Sequence, residues 1–144
     1  MKIQIKKLRP EAKLPTRGTN QSAGWDLCAC TGGPVTVPPH GTVMVGTGLS
    51  AALPEGYFGA IFARSGLASK QGLRPANCVG VCDSDYRGEY IIPLHNDGDE
   101  PKTINDGERI AQLIVLPCPA AELEEADALP ATERGAAGFG STGK

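Results

Sequence analysis

Apolar and polar residues alternate along much of the chain in short runs, the pattern of strands with one buried face. Residues 2–7 set Ile3 and Ile5 on one face between lysines and read as a half-buried strand. Residues 9–21 are polar, carry Pro10 and Pro15, and read as loop. Two short extended pieces follow at 24–30 and 34–37, separated by a turn at 31–33. A second turn at 38–41 leads into 42–49 (TVMVGTGL), whose β-branched alternation predicts one strand. Residues 57–62 form another strand after a Pro-Glu-Gly turn. The one short helix falls on 65–71 (SGLASKQ), with Ser65 as its cap and Gly72 as its stop. Strands at 77–82 and 89–95 flank residues 83–88, which read as a hairpin connection, and 96–101 is a polar turn. The most apolar run, 109–116 (RIAQLIVL), predicts a central strand. Residues 120–128 have helical composition but are fenced by Pro117, Pro119 and Pro130, and stay open.

Eight or more short strands with at most one or two short helices predict an all-β sandwich, jelly roll or barrel. The 19 glycines and 12 prolines fit that punctuation and exclude a helical bundle. At 144 residues the chain suits one domain. The one compositional break comes near residue 134. We therefore expect a β domain over 1–133 and a flexible, Gly-rich C-terminal arm over 134–144. The formal net charge of −2 excludes a general nucleic-acid binder. No apolar run reaches the roughly 20 residues that span a bilayer. The N-terminal MKIQIKKLRP lacks the apolar stretch of a secretion signal, so a cytoplasmic protein is expected. The five cysteines, at 28, 30, 78, 82 and 118, show neither a disulfide framework nor paired zinc spacing. They read as small core or strand residues with free thiols.

Five segments carry candidate chemistry. The final GFGSTGK satisfies G-x-x-x-x-G-K but lacks the following Ser/Thr and helix of a P-loop. Its glycines still allow close approach to phosphate, with donors from Arg134, Ser141 and Thr142. Arg64-Ser65-Gly66 lies at a strand-to-helix junction, where side-chain donors and free helical N–H groups suit an anion. Asp83 and Asp85 flank a corner beside Tyr86. A carboxylate there serves as a general base, as a metal partner through water, or simply as a turn former. Asp26 between Trp25 and Leu27, and Gln112 inside the apolar strand, are polar groups that need partners if buried.

In order, AGWDL (23–27), ARSGLA (63–68), NCVGVCDSDYRGEY (77–90), GERIAQLI (107–114) and RGAAGFGSTG (134–143) resemble the five motifs of the trimeric dUTP diphosphatases (dUTPases). The resemblance spans essentially the whole chain. It departs at Ala137-Gly138, where the family usually has Gly-Gly before the Phe. It implies a jelly-roll-like trimer whose three active sites each draw on all three chains. The implied reaction is Mg²⁺-assisted hydrolysis of dUTP to dUMP and pyrophosphate, by attack at the α-phosphorus. That reaction keeps uracil out of DNA and supplies dUMP for thymidylate synthesis. By the same resemblance Asp83 is the general base. Tyr86 stacks on the deoxyribose and leaves no room for a 2′-hydroxyl, and Asn77 reads the uracil edge with the neighbouring backbone. Arg64, Ser65, Gly66 and Gln112 hold phosphates and the catalytic water, and Asp26 binds hydrated magnesium from the outer shell. Arg134, Gly140, Ser141 and Thr142 grip the distal phosphates, and Phe139 covers the uracil. Two rivals share the scaffold. A dCTP deaminase wants a glutamate at the base, where this chain has the Tyr86-Arg87-Gly88 corner. A catalytically dead binding module would have lost Asp83, Gln112 or Arg134, and all three are present.

Overall fold

The computed structural model describes residues 1–138, which form eleven strands and one helix. In chain order these are β1 (Gln4–Lys7), β2 (Trp25–Cys28), β3 (Val35–Val37), β4 (Thr42–Gly46), β5 (Leu49–Ala52), β6 (Tyr57–Phe62), α1 (Ser65–Gln71), β7 (Leu73–Pro75), β8 (Gly80–Cys82), β9 (Ile91–Asn96), β10 (Lys102–Ile104) and β11 (Arg109–Pro117). All pairings are antiparallel. They build four small sheets: β1–β5, β3–β10, β4–β9–β7 and β2–β11–β6–β8. Strands distant in sequence lie side by side, so the chain passes repeatedly from sheet to sheet in the jelly-roll manner. None of these sheets closes into a barrel, which leaves the sandwich as the form adopted.

The alternation seen in the sequence supplies the core. Leu27, Val37, Val45, Leu49, Leu73, Leu94, Ile104 and Ile110 are all buried in one cluster fed by eight different strands. Truncating one of them to Ala costs about 2–5 kcal/mol, because the cavity cannot fully collapse. The fully buried Asn96 is satisfied: its amide donates to the carbonyls of Val37 and Glu100, and its Oδ1 accepts from the Gly98 N–H.

Several expectations are corrected. The single strand expected over 42–49 is two, β4 and β5, which join different sheets. Gly48 breaks it at φ +68, where a Cβ would also crowd Ala12 and Cys30. Residues 83–88 are not a hairpin: β8 pairs with β6 and β9 pairs with β4 and β7, so the segment crosses between sheets. Strand β8 is only Gly80–Cys82, because Cys78 at φ +57 turns the chain just before it. Ser65 is not the cap of α1; Arg64 holds that position with no side-chain capping bond, while Gly72 ends the helix in the left-handed region as expected. Cys78 and Cys118 are exposed rather than packed, and all five cysteines are free. Residues 118–138 are exposed and carry no helix or strand, which resolves 120–128 as irregular. Among the described residues no helix is long and apolar enough to cross a membrane.

Candidate active site

The sheet β2–β11–β6–β8 places two polar clusters at its two edges. At the β2 edge, Asp26 pairs in register with Gln112 of β11, which puts both side chains on one face. Asp26 is largely buried, at 15% side-chain exposure, and both its oxygens are engaged. Oδ1 accepts from Arg64 Nε at 2.9 Å and Oδ2 accepts from Arg109 Nη1 at 3.1 Å. Gln112 Nε2 donates to the Ala63 carbonyl at 2.8 Å, tying β11 to the junction that launches α1. Gly24 leaves the space this amide occupies, since a Cβ there would overlap Gln112 Oε1.

Arg109 reaches Asp26 because β11 is irregular. The register runs Gln112↔Asp26 and Ala111↔Leu27, then shifts to Arg109↔Cys28, so Ile110 is an extra residue. Ile110 and Ala111 are both buried, and Arg109 emerges on the Asp26 side instead of the core side.

At the β8 edge lies a cleft of about 460 Å³ whose lining includes Asn77, Asp83, Tyr86, Cys82 and Tyr90. The Val79 N–H donates to the Asn77 carbonyl across Cys78, a three-residue turn with a non-glycine residue at positive φ. The turn presents Asn77 at the cleft wall, and the missing side chain of Gly80 leaves room beside its amide. Asp83 is exposed at the end of β8, and its carboxylate makes no hydrogen bond among the described residues. Tyr86 lies across Gly88, where a Cβ would overlap its phenol, and its hydroxyl donates to the Glu89 carbonyl at 3.2 Å. Glu89 in turn pairs with Arg9 and accepts from the Gly48 N–H at 2.7 Å, while Ser50 Oγ donates to the Arg87 carbonyl at 2.8 Å. These contacts hold the 83–90 crossover against β5. Burial pushes the Cys82 thiol and the Tyr90 phenol above their ordinary values.

The candidate residues thus fall into two groups. Asp26, Arg64 and Gln112 meet at one edge, with Ser65 and Gly66 exposed at the adjoining start of α1. Asn77, Asp83 and Tyr86 meet in the cleft. Asp26 on β2 is three strand spacings from β8, about 14 Å at the usual ~4.8 Å each, while Gln112 on β11 is two away and Arg64 follows β6, the neighbour of β8. Arg134 is exposed, its Nε donating to the Ala137 carbonyl at 3.1 Å, and joins neither group. Phe139, Gly140, Ser141 and Thr142 lie outside the described residues. Sequence reasoning missed Arg109 and Tyr90. No local signal marked either one: Gly24 and Gly88 make room for Gln112 and Tyr86, not for Arg109 or Tyr90.

A family model described as dUTPase matches residues 10–143. The deoxyuridine 5'-triphosphate nucleotidohydrolase of Desulfitobacterium hafniense is 48% identical, over 99% of this chain and 97% of its own. That of Wolinella succinogenes is 48% identical, over 100% of this chain and 95% of its own. Among solved structures, the dUTPase of Staphylococcus bacteriophage 80alpha with dUpNHpp superposes with a TM-score of 0.91 at 29% identity, covering 99% of each chain.

Proposed function

This chain belongs to the dUTPase family, an enzyme family that hydrolyses dUTP to dUMP, and from that premise we propose how its two clusters share the work. The nucleoside enters the cleft at β8. The exposed amide of Asn77 reads the uracil edge, and a wrong base leaves polar groups buried and unpaired. The Tyr86 ring packs on the deoxyribose and occupies the volume of a 2′-hydroxyl. Asp83, whose carboxylate makes no hydrogen bond among the described residues, takes a proton from the attacking water as the α-phosphorus is struck. The observation that carries this reading is the meeting of Asn77, Asp83 and Tyr86 in one cleft of nucleoside size.

Arg64, Ser65, Gly66 and Gln112 are assigned to the phosphates and the catalytic water. Gln112 pairs with Phe62 at the end of β6, just before Arg64, whereas Cys82, just before Asp83, pairs with Gly59 near the start of β6, so the described residues of one chain leave the two groups apart. This supports a homotrimer with shared sites, in which the β2-edge cluster of one subunit faces the cleft of another. An apolar groove lined by Ile3, Ile5, Leu14, Trp25 and Val115 supplies a surface suited to such assembly. Residues 134–144 are the substrate-capping arm of this scheme. In it Arg134, Gly140, Ser141 and Thr142 hold the distal phosphates and Phe139 covers the base.

Magnesium is the proposed cofactor. Among the described residues no three His, Cys, Asp or Glu side chains converge to cage a metal. Mg²⁺ does not require such a cage, since it keeps several waters and binds through substrate phosphates and one or two carboxylates. Both Asp26 oxygens are held by guanidinium groups, which disfavour a further cation, so Asp26 would meet a hydrated ion through water only once Arg64 or Arg109 turns from it to the phosphates. When bound, the ion neutralises phosphate charge and aligns the triphosphate for in-line attack. The product dUMP would feed thymidylate synthesis and removal of dUTP would keep uracil out of DNA, in the cytoplasm. Pyrophosphate release measured with dUTP, dTTP, dCTP and UTP tests the scheme. Wild type should act on dUTP alone, and Asp83→Asn should bind dUTP yet lose roughly 10²–10⁴ in kcat. Near-normal turnover by that variant overturns the assignment of the base.

A further inference from the structure

We infer that Tyr90 is a positioning residue for sugar selection, a fixed post whose ring sets the pose of Tyr86. The inference rests on the reading that Tyr86 faces the deoxyribose.

The two rings lie with centroids 6.3 Å apart and planes inclined by 20°, an offset-stacked pair. They differ sharply in how they are held. Tyr90 is 3% exposed and belongs to the hydrophobic core. Its backbone is fixed on both sides by the β4–β5 turn. Its N–H donates to the Leu49 carbonyl at 2.8 Å, and its own carbonyl accepts from Thr47 N–H at 3.2 Å and Thr47 Oγ1 at 2.7 Å. Thr47 is itself fully buried. Tyr86 is 46% exposed and, among the described residues, has one side-chain hydrogen bond, at 3.2 Å, to a carbonyl three residues away. Gly88 frees the space under its ring but does not push it anywhere. The feature that gives the exposed ring a definite plane is the buried ring behind it. A sterically selective wall needs that definition: a phenol free to rotate by tens of degrees would admit the extra hydroxyl it is meant to exclude.

The Tyr90 hydroxyl takes no part in this. It is buried without a hydrogen-bond partner among the described residues, beside the Cys82 thiol. A phenol is neutral at neutral pH and this one hydrogen-bonds to nothing among the described residues, so the side chain acts as an aromatic face alone. Phenylalanine should therefore serve as well as tyrosine, whereas an aliphatic side chain should not.

The test compares kcat/KM for UTP and dUTP in wild type, Tyr86→Ala, Tyr90→Leu, Tyr90→Met and Tyr90→Phe, with thermal melts of each. Tyr86→Ala should raise the UTP-to-dUTP ratio. Tyr90→Leu and Tyr90→Met should raise it too, roughly 3–10-fold, the range a ring-stacking contact is worth. The change should lie more in relative KM than in kcat on dUTP. Tyr90→Phe should restore the wild-type ratio and melt no lower than wild type. If Tyr86→Ala leaves the ratio unmoved, the sugar-wall reading itself falls and takes this inference with it. If Tyr86→Ala moves the ratio while Tyr90→Leu and Tyr90→Met only lower the melting temperature, Tyr90 is structural and the inference alone fails. Should neither aliphatic variant fold, ring-to-ring nuclear Overhauser effects between Tyr86 and Tyr90 in labelled wild type decide it. Their presence in the nucleotide-bound enzyme supports the post, and their absence overturns it.

Discussion

Replacing Asp26 with Asn keeps the shape of the side chain and removes its charge, leaving Arg64 and Arg109 facing an amide. The two partners are not equally costly to lose. Arg64 is 26% exposed at its side chain, and its Nε approaches Asp26 at 2.9 Å. A charge-assisted bond of this kind in a partly buried setting is worth about 1.5–3 kcal/mol. Arg109 is 55% exposed, so solvent screens its contact to about 0.5 kcal/mol. The amide retains one acceptor, which recovers part of the loss. We expect a net destabilisation of about 2 kcal/mol. For a chain of this size that lowers Tm by about 6 °C, at about 3 °C per kcal/mol. The assay is a thermal melt at fixed protein concentration, since oligomer stability depends on concentration. It should be run in low and high salt. High salt should erase the Arg109 share and leave most of the Arg64 share, because buried pairs are screened less. A variant that melts within 1 °C of wild type in both salts would refute the view that Asp26 ties the β2 edge to α1. The same variant should need more Mg²⁺ for half-maximal turnover if the outer-shell role holds.

Gly24→Ala should force the Gln112 amide off the Ala63 carbonyl, costing about 1–3 kcal/mol by overpacking and lowering kcat, as read by melts and pyrophosphate release. At low pH the groups to watch are Asp97 and Asp106. The hydrogen bonds from Arg74 hold the first below its ordinary 3.8, and the Thr31 and Gly32 N–H groups hold the second below the same value. Their depressed values contribute stability that is complete above that ordinary value and lost as pH falls through the lowered ones. Tm should thus fall below about pH 4, and Arg74→Gln should make the fall shallower. Iodoacetamide at neutral pH should label Cys78 and Cys118 first, by intact mass, because Cys30 is buried and burial raises the Cys28 and Cys82 thiols.

The elements legible in the sequence were those whose signals are local. The 65–71 helix has a composition and a terminating Gly72 that need no tertiary partner, and 57–62 is an apolar run that follows a clear Pro-Glu-Gly turn. Strands β7 and β10 were missed because three residues show no period, and β7 contains Pro75. The crossover at 83–88 has the same local chemistry as a hairpin; only the non-local partners of β8 and β9 distinguish them. In the site, Asp26 and Gln112 stood out as polar residues among apolar neighbours. Tyr90 looked like any strand aromatic, and its value depends on Tyr86 lying 6.3 Å away. Arg109 was invisible as a partner of Asp26, because strict alternation would put it on the face opposite Gln112.

That extra residue in β11 also bears on which structures compete with the native one. Straightened, the end of the strand would pair Arg109 with Ala29 instead of Cys28, turning the guanidinium inward and Ile110 out to solvent. The slipped arrangement would forfeit roughly 1.5–3 kcal/mol of Ile110 burial, and would desolvate a cation with no counter-charge beside it. The charge at position 109 therefore discriminates between two pairings of the same strand as well as bonding to Asp26. With an apolar residue there the alternatives draw together in energy. The start of β11 would then sample both, while Gln112 stays opposite Asp26 in either one.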